Sequence, residues 1–543
     1  MSATVRDALQ LTCIMGVPYF WVDALCIVQD DPIEIKQPYI DNMGSIYTNS
    51  AFTIKATDSQ DARYGLRGLR ELQYPASRTC KQRIVPFGPQ QRFIQVPEHD
   101  PFFRENSRSA QSVYKYQSRA WIYQESILSR RSLSFLDGMV FWQCDGGWWT
   151  EEVIDRKLRG WGRDEGHTLL QILHLPHQMH EPDLYAFGVT VSNYNIKHLT
   201  YERDRFDAFA GMAMLLSHAF GQLQSGLPEM FFDVMLLWQP DSPEVRRRNL
   251  DGVGQDRNRS LPSWSWAGWQ CRIDIGPWVT AGGTQVPPWN NTAWHEVIPF
   301  VEWSVSHGLD AQSQHARCKI DPAWHAAKCY SHDATDRIPE GWERHENTDR
   351  LPEEERATLY SSWDHPFVYE LTANKEKDYT FVCPISVPVL RPDARPEYPP
   401  YLHGSLQRAW LTCEARYVQV PDATKAVATS RGCFLLSGDG DRVGWLRMTA
   451  DTRIDDGITI AQALQRGGRL VELIALSRDV VQRVVPSLEG GRWITRPTGP
   501  LEESFNVMWI GWDGGVALRR ALGKVQRQAW DGLDRDMVDI TLA

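Results

Sequence analysis

The stretch PYFWVDALCIVQDDPIEIKQPYIDNMGSIYTNSAFTIKATD, Pro18 to Asp58, decides how this chain is read. Tyr19-Phe20-Trp21-Val22 is an unbroken apolar run, as expected of a strand covered on both faces of a parallel sheet. Asp31 stands one residue before Pro32 and three before Glu34, which predicts a helix N-capped by Asp31 with proline at its first position. Ile35, Tyr39, Ile40, Met43, Ile46 and Tyr47 recur at three- and four-residue steps and predict an apolar helix face, kinked at Pro38 and finished by Asn49. Ala51 to Ala56 resumes as a strand. A strand-helix-strand unit of this length predicts a right-handed crossover between parallel strands.

In such a sheet, ligands sit outside the carboxyl ends of the strands, where Asp23, Cys26, Gln29, Asp30 and Asp58 emerge together with Ser59. These are the candidate binding residues. The alternative for each acid is a loop-capping role.

Upstream, Thr4 to Met15 reads as a helix capped by Thr4, with Val5, Leu9 and Cys13 on one face and Gly16 as its stop. A parallel sheet of this kind usually has a strand before that first helix, and the first strand is expected to be missing here. Residues 59–115 are polar and turn-rich, and are expected to form loops with short strands.

Periodicity returns at Ser118, expected to cap a helix running to Leu128 on which Trp121, Glu125 and Leu128 form one stripe. A glutamate on a packed face must be paired, protonated or turned to a cavity. Arg119, Arg130 and Arg131 are its available partners. Ser132–Leu136 and Met139–Cys144 flank Asp137-Gly138, a hairpin signal, and Trp148-Trp149 closes this region.

Size and composition bound the rest. At 543 residues and 42% hydrophobic, the chain has room for two to four domains. The expected division is 1–152, 153–270 (mainly helical), 271–408 (irregular and loop-rich) and 409–543 (antiparallel β). Within it, Phe206 to Phe220 repeats at helical steps to a stop at Gly221, and Phe231 to Trp238 forms a second helix. In Leu261–Trp269, LPSWSWAGW, three tryptophans are read as a packing anchor, with sugar stacking as the alternative. Gly432–Ser437, Val443–Met448, Gly468–Leu476 and the pair Phe505–Trp512 and Val516–Arg519 across Asp513-Gly514-Gly515 are expected strands.

A net charge of −10 and a pI near 5.9 argue against nucleic acid or an anionic membrane as the main partner. The ten cysteines include no CxxC pair, which suggests reduced thiols in the cytoplasm. No apolar run approaches the ~20 residues of a membrane span. His315, Cys318, His325, Cys329 and His332 gather within a short segment, but their spacings match no standard finger and no metal is assigned. P-loop, GxGxxG, HExxH and GxSxG motifs do not occur, and no cofactor is expected.

Three blocks resemble the fungal heterokaryon-incompatibility (HET) domain family. Trp21–Asp31, WVDALCIVQDD, with Met43–Ala56, MGSIYTNSAFTIKA, is similar to its first signature. Ser118–Phe135, SRAWIYQESILSRRSLSF, is similar to its second. The later LPSWSWAGW and the Val471–Trp530 region resemble extensions that follow the domain. The resemblance implies self/non-self recognition, with a protein partner or self-association triggering growth arrest or cell death. It also implies a leading strand bearing a Ser-Tyr-x-Trp-Gly-like motif, after which this chain starts.

HET domains in turn resemble TIR domains, which implies a flavodoxin-like parallel sheet. In NAD-cleaving branches of that group one helix glutamate follows a Ser-x-Trp-like motif. By that likeness Glu125 is the catalytic candidate, Ser118 and Trp121 join the binding candidates, and NAD is a substrate rather than a cofactor. The rival reading is a glutamate bonded to Arg119 or Arg131 that holds its helix to the sheet.

Overall fold

The computed structural model describes residues 1–57, 61–66, 84–87, 91–94, 118–136, 139–144, 147–150, 182–241, 245–248, 261–281, 285–286, 293–310, 316–330, 338–348, 353–356, 363, 365–372, 380–384, 398–416, 432–447, 468–489 and 492–543. Two compact units divide the chain. Unit 1 comprises residues 1–179 and 196–215, and unit 2 comprises 180–195 and 216–543.

Unit 1 opens on helix α1 (Ala3–Ile14), capped by Ser2, whose hydroxyl accepts from the Val5 amide. Thr4 is not the cap. Its hydroxyl accepts from the Gly65 amide and the buried Asp7 carboxylate accepts from the Leu66 amide, so tertiary partners claim both side chains. The inward face is Ala8 and Leu11, clustered with Leu66 and Phe135, and not Val5, Leu9 and Cys13. Gly16, at φ +69°, ends the helix as expected.

Pro18 to Val22 is not a strand. The Val22 carbonyl accepts from the Leu25 and Cys26 amides and starts the single turn α2 (Asp23–Cys26), while Tyr19 is fully turned to solvent. The predicted crossover between two parallel strands is therefore absent from this stretch. An apolar run of four carries no periodicity, and turn hydrogen bonds claimed the backbone that a ladder needed.

Helix α3 (Ile33–Asn49) contains Pro38 and ends at Asn49 as expected, but Pro32 occupies the cap position and Asp31 contributes no cap bond. Met43 is buried, whereas Ile35 and Tyr39 are exposed, so only the second half of the predicted face packs.

Strand β1 (Thr53–Ala56) follows, and then a hairpin of β2 (Ile84–Phe87) and β3 (Gln91–Ile94). Helix α4 (Ala120–Leu128) leads into β4 (Arg131–Leu136), β5 (Met139–Cys144) and β6 (Gly147–Thr150). Their sheet has the order β1-β4-β5-β6, with β1 and β4 parallel and the other two pairings antiparallel. The β4–β5 hairpin agrees with its turn signal.

Helix α5 (Leu184–Asn195) belongs to unit 2; α6 (Asp207–Phe220) starts in unit 1 and ends in unit 2, with Gly221 at φ +68° stopping it.

In unit 2 the LPSWSWAGW segment is an anchor. Trp264 and Trp266 are fully buried, and their indole N–H groups donate to Pro400 O (3.1 Å) and Gly226 O (2.9 Å). Trp269 donates to Ser263 O at 2.8 Å. With ring area and polar edge both satisfied inside, no stacking face is left for a sugar.

The large sheet of unit 2 starts earlier in sequence than residue 409. Strand β7 (Ala293–Pro299) and the 16-residue β8 (Tyr401–Arg416) lie wholly or partly in the segment read as irregular. They join β9 (Gly432–Leu436), β10 (Arg442–Arg447), β11 (Arg469–Glu489), β12 (Glu502–Asp513), β13 (Val516–Gln526) and β14 (Asp536–Leu542). Among the described residues the antiparallel pairings β11-β12-β13-β10-β9-β8 close on themselves, because β8 also pairs with β11. Alternate residues Ala409, Leu411, Cys413 of β8 and Val471, Leu473, Ala475 of β11 point into this ring, with Phe505, Val507 and Trp509 of β12. The β12–β13 turn holds Gly514 and Gly515 at φ +55° and +88°, the left-handed geometry that glycine permits.

Inside that core Cys413 and Cys433 form a disulfide, with Cα atoms 6.1 Å apart, contrary to the reading of all cysteines as reduced. Their separation of 20 residues carried no sequence signal; pairing of β8 with β9 brought them together.

Candidate functional site

Helix α4 begins at a parallel bridge between Arg119 and His198, with the Ala120 amide donating to His198 O and the His198 amide to Ser118 O. Ser118 therefore anchors the helix through its backbone carbonyl, while the cap position falls to Arg119 without a side-chain cap bond. The opposite side of α4 is tied by Gln124, whose amide oxygen accepts from the Gly211 amide at 3.1 Å. Ala120, Ile122, Tyr123, Gln124, Ile127 and Leu128 are the buried residues of this helix. Trp121 and Glu125 are partly exposed, so the predicted Trp121–Glu125–Leu128 stripe lies at the margin of the packed face.

Glu125 is held there with its carboxyl raised from 4.5 to about 7. Burial is the largest cause and the Asp23 carboxylate adds to it; a hydrogen bond with Tyr47 and the charges of Arg119 and Lys55 pull the other way. The anionic form costs solvation and meets a second anion, and the available cations compensate only in part. The result is a carboxyl close to half-ionised at neutral pH, the range in which a carboxyl can both take and give a proton.

Three elements bring these groups together. Tyr47 comes from the last turns of α3 and its ring meets Trp21 edge-on at 5.8 Å, which fixes the loop that ends at Asp23. Lys55 comes from β1, is buried, and donates to Ser126 O at 3.5 Å. Asp23 opens α2, and its carboxylate accepts from the Ala24 amide at 2.7 Å.

Of the sequence candidates, Asp23 is thus electrostatically linked to Glu125. Gln29 folds back on the Asp23 and Ile27 carbonyls, and Cys26 Sγ accepts from the Val22 amide, so both fasten the α2 loop. Asp30 is exposed on the turn after it. Asp58 lies outside the described residues. Arg119 acts on Glu125; no influence of Arg130 or Arg131 on its carboxyl is resolved. Tyr47 and Lys55 were missed as site residues. Tyr47 was legible on the inward side of its helix; a lysine inside a strand of alternating burial gave no comparable signal.

For metals, Glu343, His345 and Glu370 in unit 2 place ligand atoms within 4.8 Å of one another among the described residues, at a partly exposed surface. His315 and His332 lie outside the described residues, while Cys318 is exposed on a short strand. No described helix is long and apolar enough to cross a membrane.

Residues 1–125 match the family model described as Heterokaryon incompatibility protein (HET). The match ends on the glutamate just described and covers the first signature block and the start of the second. No curated protein and no solved structure matches the chain.

Proposed function

We propose that the chain acts in heterokaryon incompatibility, as a self/non-self recognition protein whose unit 1 triggers growth arrest or cell death through a protein partner or self-association in the cytoplasm. The observation that carries this reading is the family match over residues 1–125, which spans α1 to the start of α4 and so includes the Asp23 loop, Tyr47, Lys55 and Glu125. The matched segment and the electrostatically strained carboxyl coincide. Regulated expression of the full chain in a filamentous fungus, read as arrest of hyphal growth, tests it.

A second reading is favoured by the state of Glu125. In it, unit 1 is a TIR-like module that hydrolyses NAD: the bond between nicotinamide nitrogen and ribose C1 breaks, water adds to C1, and nicotinamide, ADP-ribose and a proton leave. Positive charge builds on the ribose in the transition state, and a carboxylate near it stabilises that charge or takes the water's proton. The Asp23 carboxylate lies close enough to act on Glu125, while Ser118 and Trp121 flank the helix start. The parallel β1–β4 pair supports the TIR-like comparison. Nicotinamide release by the purified chain, lost in Glu125→Gln, is the result this reading expects; a folded chain that releases none contradicts it and leaves the partner-driven trigger.

A further inference from the structure

Unit 2 contains a cavity of about 1070 Å³ whose described lining residues all belong to that unit. Volumes of this size accommodate a metabolite-sized ligand. Its walls come from β7, β9, β10, β11, β12 and β13, and the short helix Gly276–Ala281.

The floor is organised by Asp479, which is buried to 1% exposure and accepts from His295, Lys524, Ser504 and Asn506. Burial alone would raise its carboxyl, but the charges of His295 and Lys524 prevail and hold it well below the ordinary range. His295 in turn meets the Thr280 hydroxyl at 3.2 Å. Asp274 is likewise engaged by Arg447 at 2.6 Å, Glu503 by Arg527 at 2.8 Å, and Glu502 by Arg483 at 3.8 Å.

Each described acid lining the cavity thus has a cationic partner within 4 Å, whereas a buried donor is left over. Arg447 is more than nine-tenths buried, lines the cavity, and among the described residues its Nε has no hydrogen-bond partner. A buried guanidinium N–H left without an acceptor keeps its full desolvation penalty until something accepts from it. Arg442 stacks over Phe434 at 4.1 Å with its head exposed at the same wall. Lys524 retains N–H groups beyond the one on Asp479. A cationic ligand would have to compete with the cations already beside these acids; an anionic one would find spare, partly desolvated donors.

We propose that this cavity is a binding site for a small multiply charged oxyanion, a phosphate- or polycarboxylate-bearing metabolite, held by Arg442, Arg447 and Lys524. Asp479 and Asp274 are positioning residues that preset the lysine and the buried arginine. Unit 2 then senses a metabolite, independently of what unit 1 does with Glu125.

The test is calorimetric titration of the full chain at low salt with inorganic pyrophosphate, citrate and spermidine in separate arms. The expected result is that one oxyanion binds with a Kd below about 1 mM and that Arg442→Gln weakens it about ten-fold or more. Arg442 is exposed, so this variant keeps the fold; Lys524→Gln, where it folds, loses at least as much. Arg469→Gln removes an exposed charge outside the lining and should leave binding unchanged. Pyrophosphate over citrate assigns the phosphate class, and the reverse assigns the carboxylate. The proposal is overturned if neither oxyanion binds the folded chain at about 10 mM, if Arg442→Gln and Arg469→Gln weaken it equally, or if spermidine binds more tightly.

Discussion

Gly44 of α3 and Gly211 of α6 meet face to face: a Cβ on Gly44 would lie 3.0 Å from the Gly211 Cα, and one on Gly211 would lie 3.1 Å from the Gly44 Cα. A Cβ on Gly211 would also stand 2.7 Å from Leu128 Cδ1. This close approach lets the Gly211 amide reach the Gln124 side chain one residue from Glu125, so the backbone crossing sets where the site helix lies. Gly211→Ala is expected to destabilise unit 1 by roughly 1–3 kcal/mol through overpacking against backbone that cannot yield. Chemical denaturation of the variant and wild type measures it, and a shift below about 0.5 kcal/mol would show that the crossing relaxes freely.

Glu125 makes stability depend on pH in a stated direction. With its carboxyl raised from 4.5 to about 7, the folded chain keeps a proton that the unfolded chain has released throughout that window. The contribution of Glu125 to stability therefore falls as pH rises from about 4.5 and levels off above about 7. Glu125→Gln removes the slope: the variant should be roughly 1–3 kcal/mol more stable than wild type near pH 8 and converge with it near pH 4. Parallel denaturation curves at all pH values would contradict the assignment.

Trp266 donates to Gly226 O, and Gly226, at φ +84°, has its backbone against the indole ring, where a Cβ would come to 2.6 Å. Trp266→Phe leaves that carbonyl without its donor and opens a gap, for an expected cost of about 2–4 kcal/mol in unit 2. Thermal unfolding of the variant, read by near-ultraviolet circular dichroism, checks it. An unchanged midpoint would mean that the tryptophan is not the anchor described.

The Cys413–Cys433 disulfide closes a loop of modest length inside the β8–β9 core, with both residues inaccessible to solvent. Opening it is expected to cost unit 2 about 3 kcal/mol. Mass spectrometry after alkylation of the denatured, unreduced chain should find these two thiols blocked, and reduction should lower the denaturation midpoint. Alkylation of both without prior reduction would refute the pairing.

How far the sequence could be read follows from what each signal depends on. Period and turn chemistry are local, so α3's end at Asn49, the β4–β5 hairpin, α6 with its glycine stop, and the strands around Gly514-Gly515 were legible. Caps and short apolar runs depend on what else competes for the same atoms. Thr4 was claimed by Gly65, Ser118 by His198, and the Val22 carbonyl by α2, so each expected role passed elsewhere. β7 was hidden because His295 and Glu296 interrupt its apolar pattern, yet both are turned inward to partners far along the chain. Glu125 stood out as a carboxylate on a helix stripe; its coupling to Asp23 and Tyr47 is a long-range fact that no spacing encodes.

The most direct measurement of the central claim is hyphal growth and vital-dye uptake in a filamentous fungus carrying the full chain under a regulated promoter, with immunoblots to show that the protein accumulates. Incompatibility signalling predicts arrest and dye uptake within the induced compartments, abolished by Gly211→Ala or Glu125→Gln if the α4 site carries the trigger. Normal growth with the folded chain present at levels comparable to an inert control would contradict it.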